Sequence, residues 1–137
     1  MLRPAVPADL PLLLAIREGS GADALSDPAL IDESALAALI RASAVTVWED
    51  RGRVGGFAAT DAGSGTIAAL LVTSAARGRG GGRALLADAC DALKRSGCRA
   101  AALTVVPGGD AERHYRAAGW VAAEPGPAGR LVLKKPL

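Results

Sequence analysis

Apolar positions in this chain recur at two spacings, and the switches between them divide it into elements. Leu10, Leu13 and Leu14 fall at helical intervals and predict a first helix ending near Gly19, with Pro7 suited to its first turn and Asp9 complementing its dipole. Ahead of it, Leu2-Arg3-Pro4-Ala5 predicts a short edge strand, since Pro4 has no N–H to give to a ladder. Gly19 to Ser26 is polar and predicts a turn. Asp27-Pro28 then has the form of a cap and a first-turn proline, opening a second helix to about Ser43 that turns Leu36, Leu39 and Ile40 inward.

From Val45 the pattern becomes that of strands. Val45-Thr46-Val47-Trp48 and Val54 to Thr60 flank the turn Asp50-Arg51-Gly52 and predict a hairpin. A second turn, Asp61 to Gly65, leads into Thr66 to Thr73, whose nearly unbroken apolar character predicts a central strand covered on both faces. Helical spacing returns with Leu86, Ala89, Cys90 and Leu93 against a polar face of Asp88, Asp91, Lys94 and Arg95, and Gly97 supplies the stop. Cys98 to Val106 predicts a second buried strand, and a strand, helix, strand run of this length implies a parallel right-handed crossover. After Pro107-Gly108-Gly109, Asp110 is placed to cap a short helix, Ala111 to Ala118, closed by Gly119. Trp120 to Glu124 and Arg130 to Lys134 predict two last strands around the turn Pro125 to Gly129.

Between the central strand and its helix lies the stretch Leu70 to Leu86, L-L-V-T-S-A-A-R-G-R-G-G-G-R-A-L-L. Gly78, Gly80, Gly81 and Gly82 carry no side chains, so backbone N–H groups there can approach an anion, and the helix behind them adds the positive end of its dipole. Arg77, Arg79 and Arg83 add mobile positive charge at the rim. The stretch therefore predicts a pyrophosphate cradle. It is not a nucleotide P-loop, lacking a G-K-S/T ending, and no acidic residue near Val105 is placed to take the ribose of a dinucleotide. A flexible linker or an RNA-binding RGG segment has a similar composition, but such segments sit in low-complexity surroundings.

Composition narrows the rest. At 137 residues the chain predicts one domain that buries about two thirds of its unfolded surface. Aromatics are 3% against 50% hydrophobic residues, so the core is built from Ala, Val, Leu and Ile. A formal net charge of +2 favours a small anionic ligand over a nucleic-acid partner. Cys90, Cys98 and the single histidine form neither a zinc signature nor a disulfide scaffold, so no metal is expected. No apolar run reaches the roughly 18 residues of a membrane span, and Pro7, Asp9 and Pro11 interrupt any secretion signal, so a cytoplasmic location without a membrane partner is expected.

The spacing R-x-x-G-x-G, here Arg77, Gly80 and Gly82, behind a strand ending Leu70-Leu71-Val72, resembles the acetyl-CoA-binding motif of the GNAT superfamily of N-acetyltransferases. The segment A-E-R-H-Y-R-A-A-G-W, ending at Trp120, resembles that superfamily's second signature, and R-P-A-V-P-A-D-L-P-L-L is similar in style to its first strand and helix. Together these cover most of the chain in the expected order. The resemblance implies a GNAT-like α/β fold, a central mixed and mostly antiparallel sheet with one parallel strand pair and helices on both faces, as one domain over residues 1–137. It implies acetyl-CoA as cosubstrate and transfer to a primary amine on a small molecule or a protein. In such a site Leu70, Leu71 and Val72, next to a bulge just before the loop, would hold the pantetheine arm and the thioester oxygen. The amides of Arg77, Gly78, Arg79, Gly80, Gly81, Gly82 and Arg83 would hold the pyrophosphate. A homodimer paired through the last strands is an arrangement the fold often adopts.

Acetyl transfer from a thioester depends mostly on positioning. Tyr115 is the general acid the second signature implies, since a phenol with a pKa of about 10 can protonate a departing thiolate. A tyrosine packed on its helix with its hydroxyl on water is the other reading. Three departures from the family pattern stand out. Gly108 replaces an asparagine that contacts the cofactor, leaving that contact missing or supplied by backbone, and His114 occupies a usually apolar position, on a helix face or in the acceptor pocket. Thr66 to Thr73 also lacks the glutamate that helps deprotonate the amine, so a water chain, Glu49 or Asp61 would have to serve and no base is assigned. Asp23, Asp27, Asp32 and Glu33 either attract a cationic amine or act as solvated caps. Besides an acetyltransferase, a non-catalytic acyl-CoA-binding sensor or scaffold fits these departures, and RNA binding through the arginines is a third alternative.

Overall fold

The computed structural model describes residues 1–19, 31–76 and 78–137. In it β1 (Leu2–Pro4), β2 (Val45–Asp50), β3 (Arg53–Asp61), β4 (Thr66–Val72), β5 (Ala100–Val105), β6 (Val121–Pro125) and β7 (Leu131–Pro136) form one sheet in the order β1-β2-β3-β4-β5-β7-β6. Neighbours are antiparallel except β4 and β5, which α3 (Gly81–Arg95) connects as the expected crossover. α1 (Leu10–Gly19), α2 (Glu33–Arg41) and α4 (Asp110–Ala117) complete the described elements. This is the mixed, mostly antiparallel sheet with one parallel pair and flanking helices that the resemblance implied.

Two apolar cores lie on the two faces of the sheet. Trp48, Leu70, Val72, Leu85, Leu103 and Tyr115 belong to the core under α3 and α4, while Leu13, Leu36, Val47, Phe57, Ala69 and Leu71 belong to the one under α1 and α2. Both cores share β2, β3 and β4, which explains the unbroken apolar run at the centre of the chain. The hairpin turn between β2 and β3 places Arg51 at φ 57° and Gly52 at φ 76°, the double positive φ whose twist matches the flanking strands.

Several helix boundaries differ from expectation, each for a local reason. A short 3-10 turn, Pro7–Asp9, precedes α1, and the Asp9 carboxylate accepts the Val6 N–H at 2.8 Å and pairs with Arg3 at 2.8 Å, so Asp9 caps as well as complementing the dipole. Arg3 also pairs with Glu49, joining β1, β2 and the start of α1. The hydrogen bond from Arg3, then that from Val6, hold the Asp9 carboxyl below the usual carboxylate range against the opposing cost of burial. The expected cap at Asp27 lies outside the described residues. The described helix begins after Asp32, whose carboxylate accepts the Ala35 N–H at 2.7 Å, and ends at Arg41 rather than Ser43.

On α3 Leu85 and Leu93 are fully buried with Ala89, while Leu86 and Cys90 are partly buried. Asp88, expected on the outer face, instead accepts the Thr46 hydroxyl at 2.9 Å and turns toward the sheet. Asp110 is not a cap: α4 starts behind Gly109 without a side-chain cap, and Asp110 pairs forward with Arg113.

Candidate active site

Thr73 and a 3-10 turn, Ser74–Ala76, carry β4 into the glycine loop. Gly78 and Gly80 lie at φ 77° and 85°, where a side chain is strained, and nothing stands within 4 Å of a Cβ built on either. These two glycines are required by the turn. Gly80 O accepts the Ala84 N–H at 3.0 Å as α3 begins, which leaves the N–H groups of Gly81, Gly82 and Arg83 without intrahelical acceptors at the positive end of a helix with no acidic residue in its first turn. Arg77 lies outside the described residues. Arg79 pairs with Asp50, at the end of β2, at 2.9 Å. Arg83 is exposed.

Gly81 has a different reason to be glycine. Its φ is not in the left-handed region, but a Cβ there would lie 2.5 Å from Cε3 and 2.8 Å from Cζ3 of Trp48. On its Cβ side Gly81 is thus covered by an indole.

β4 and β5 diverge as they approach the loop. Among the described residues their one parallel register pair is Thr66 with Ala102, although β3 follows β4 to Val72 and β7 follows β5 to Val105. Thr73 N–H donates to Gly55 O at 2.8 Å, so by alternation Leu71 also bonds toward β3, and the N–H and C=O groups of Leu70 and Val72 point to the β5 side, into the opening. The bulge expected just before the loop lies earlier. Ala59 faces Ala69 and Thr60 faces Ile67, which leaves Ala68 as the extra residue. It reverses the alternation, placing Ile67 and Leu70 in one core and Ala69 and Leu71 in the other.

Tyr115 is fully buried against the edge of Trp120, ring centroids 5.5 Å apart, and its hydroxyl has no hydrogen-bond partner among the described residues. Burial first, and the nearby Cys90 second, push the phenol pKa well up, so the group is held in its protonated form. His114 is exposed on the outer side of α4, its ring edge-on to Tyr115 at 5.4 Å. Gly108 does not offer its backbone as a substitute for the expected asparagine. Its N–H donates to Glu112 at 2.8 Å and its C=O accepts from Arg113 at 3.1 Å, so both polar groups are engaged by α4.

Neither carboxylate weighed as a base faces this opening. Glu49 pairs with Arg3 on the β1 side, and Asp61 accepts the Gly63 N–H at 3.0 Å at the far end of β4. Asp32 is a helix cap, and Asp23 and Asp27 lie outside the described residues. Cys90 and Cys98 are free thiols, and no group of metal-binding side chains occurs among the described residues. No described helix is long and apolar enough to cross a membrane.

The glycine loop opens the helix whose Leu85 shares a core with Leu70 and Val72 of the diverging strand β4 and with the buried Tyr115. A model of the acetyltransferase (GNAT) family matches residues 15–120, and the chain belongs to that family. By family it is an acetyltransferase, a class that takes its acetyl group from acetyl-CoA. Ard1 from Thermoplasma volcanium superposes over 100% of this chain and 97% of its own, with a TM-score of 0.81 and 19% identity. The ribosomal-protein-alanine N-acetyltransferase of Brucella melitensis gives 0.73 at 24% identity, covering 100% of this chain and 99% of its own. The PaiA N-acetyltransferase of Thermoplasma acidophilum, in complex with coenzyme A, gives 0.75 at 15% identity over 100% of this chain and 98% of that one. A search of curated proteins finds no match.

Trp48 and Asp50 were not among the residues singled out for the site. Trp48 reads as an ordinary strand aromatic, and nothing in its local pattern points to glycines distant in sequence.

Proposed function

We propose that this chain, folded as one domain over residues 1–137, transfers the acetyl group of acetyl-CoA to a primary amine by direct attack. The observation that carries the reading is the buried Tyr115 hydroxyl, without a hydrogen-bond partner among the described residues, in the same core as Leu70 and Val72 of β4. A buried hydroxyl without a partner costs about 1–3 kcal/mol, a cost more readily retained where the group has work to do.

Acetyl-CoA supplies an activated acyl carbon and a thiolate leaving group. The loop amides from Gly78 to Arg83 hold its pyrophosphate, with Arg79 and Arg83 at the rim. Leu70 and Val72 offer backbone groups to the pantetheine arm and the thioester oxygen, with Leu71 anchoring the strand to β3. The neutral amine nitrogen bonds to the acyl carbon, the carbon–sulfur bond breaks as Tyr115 passes its proton to the sulfur, and the proton shed by the new amide nitrogen returns Tyr115 to its neutral form. The ammonium proton of the acceptor leaves through water before attack, because Glu49 is paired with Arg3 and Asp61 is bonded at the far end of β4. The acceptor amine approaches on the face of β5 and β7 carrying Ala102, Thr104 and Val132, partly buried small residues that no described helix covers.

The test is free-thiol release from acetyl-CoA with a panel of small amines and peptides, including one beginning with alanine. Amine-dependent release supports the enzyme. The absence of a facing carboxylate favours a second reading, a non-catalytic acyl-CoA sensor or scaffold. Tight acetyl-CoA binding with no thiol release from any amine would select it.

A further inference from the structure

We infer that Trp48 is a positioning residue for the glycine loop, and that Gly55 and Gly81 lack side chains to admit its indole. The indole edge carrying Cε3 and Cζ3 is wedged between the two. A Cβ on Gly81 would stand 2.5 Å from Cε3, and one on Gly55 would stand 2.6 Å from Cζ3. Neither glycine has a positive φ, so backbone conformation does not demand glycine at either position. Aromatic carbons cannot yield as a flexible side-chain tip does, so an added methyl must displace either the ring or the backbone carrying it.

The ring cannot retreat easily. Trp48 is buried in the core under α3, and Val72 and Leu85 belong to the same core. Gly55 is the extra residue of β3 where Trp48 faces Gly56 and Glu49 faces Val54, and its carbonyl accepts the Thr73 N–H at 2.8 Å, which ties that side of the wedge to the end of β4. Gly81 is the first residue of α3 and immediately follows Gly80, so the indole sets how closely the helix N-terminus approaches the sheet. The loop amides therefore take their height from a residue of β2. The glycines of the loop divide by cause: Gly78 and Gly80 for the turn, Gly81 for the tryptophan beneath it.

This inference rests on the loop being the pyrophosphate site, and its test separates the two claims. Coenzyme A binding to the full chain is measured by calorimetry, and melting without ligand is measured alongside, for Trp48→Leu and for Gly81→Ala and Gly55→Ala, each with and without Trp48→Leu. Gly81→Ala is expected to weaken coenzyme A at least about tenfold and to lower the melting temperature. In the Trp48→Leu background the same alanine is expected to cost less than about twofold, because the space beneath it is open. Gly55→Ala is expected to weaken coenzyme A binding by pushing the ring toward Gly81, and to do so less in the Trp48→Leu background, which separates the ring's share from that of the Ala76 Cβ 2.9 Å from the added methyl; unchanged binding in Gly55→Ala counts against the role even if Trp48→Leu fails to fold. Equal cost of Gly81→Ala in both backgrounds, or unchanged binding in Gly55→Ala, overturns the positioning role alone. Wild-type protein that does not bind coenzyme A overturns the cradle reading and the role together.

Discussion

Replacing Tyr115 by phenylalanine should make the protein more stable and a poorer catalyst. The substitution keeps the ring against Trp120 and removes only a buried hydroxyl that has no described partner. Desolvating such a hydroxyl costs about 1–3 kcal/mol, and the small void left by the oxygen returns part of that. A net gain of about 1 kcal/mol follows, or about 4 °C in melting temperature for a chain of this size. The pH dependence carries a second signature. Burial raises the folded phenol's pKa, so wild-type stability is full below the unfolded value of about 10 and is lost as pH rises through the folded one. Tyr115→Phe should lack that alkaline loss. Turnover, read as amine-dependent thiol release, should fall about 10²- to 10⁴-fold with little change in acetyl-CoA affinity. Urea denaturation at neutral and alkaline pH gives the stability arm. Destabilisation by about 1 kcal/mol or more would mean the hydroxyl is bonded; unchanged turnover would remove Tyr115 from the chemistry.

Two further variants test the surroundings. Asp9→Asn loses the ion pair with Arg3 and weakens the bond from Val6, and should cost about 1–2 kcal/mol near neutral pH. Because the Asp9 carboxyl titrates below its unfolded value, that contribution is present above the unfolded pKa and lost as pH falls through the folded one, so wild type and variant should converge in acid denaturation. Asp50→Asn breaks an exposed pair worth about 0–1 kcal/mol and should leave melting nearly unchanged. It also removes a negative charge beside the anion loop, so coenzyme A should bind about two- to fivefold tighter at low salt and less so at high salt; weaker binding would show that Asp50 instead aims Arg79.

Much of the fold was legible because its signals are local. The hairpin turn at Arg51 and Gly52, the apolar run of β4 and the stop at Gly97 each follow from residues adjacent in sequence. The crossover from β4 through α3 to β5 was legible for the same reason. What stayed hidden depends on contacts across the fold. The strand run from Thr66 does not reveal that Ala68 is the residue that fails to pair, since the mismatch exists only against β3. Gly81 reads as one more loop glycine until Trp48 is seen beneath it. Gly108 looks able to offer its backbone until Glu112 and Arg113 are found bonded to both of its polar groups. The place of Tyr115 in the second signature was legible, but the isolation of its hydroxyl is a property of packing.

The central claim is that acetyl-CoA is held by the loop at the start of α3, and amide hydrogen exchange with and without acetyl-CoA tests it most directly. The first-turn amides of Gly81, Gly82 and Arg83 have no intrahelical acceptors, so they should exchange fast in the free protein. Slowed exchange over residues 78–83 on adding acetyl-CoA, with β1 and the Pro127–Gly129 turn unchanged, is the expected result. Binding that leaves 78–83 unprotected and slows exchange elsewhere would contradict the account.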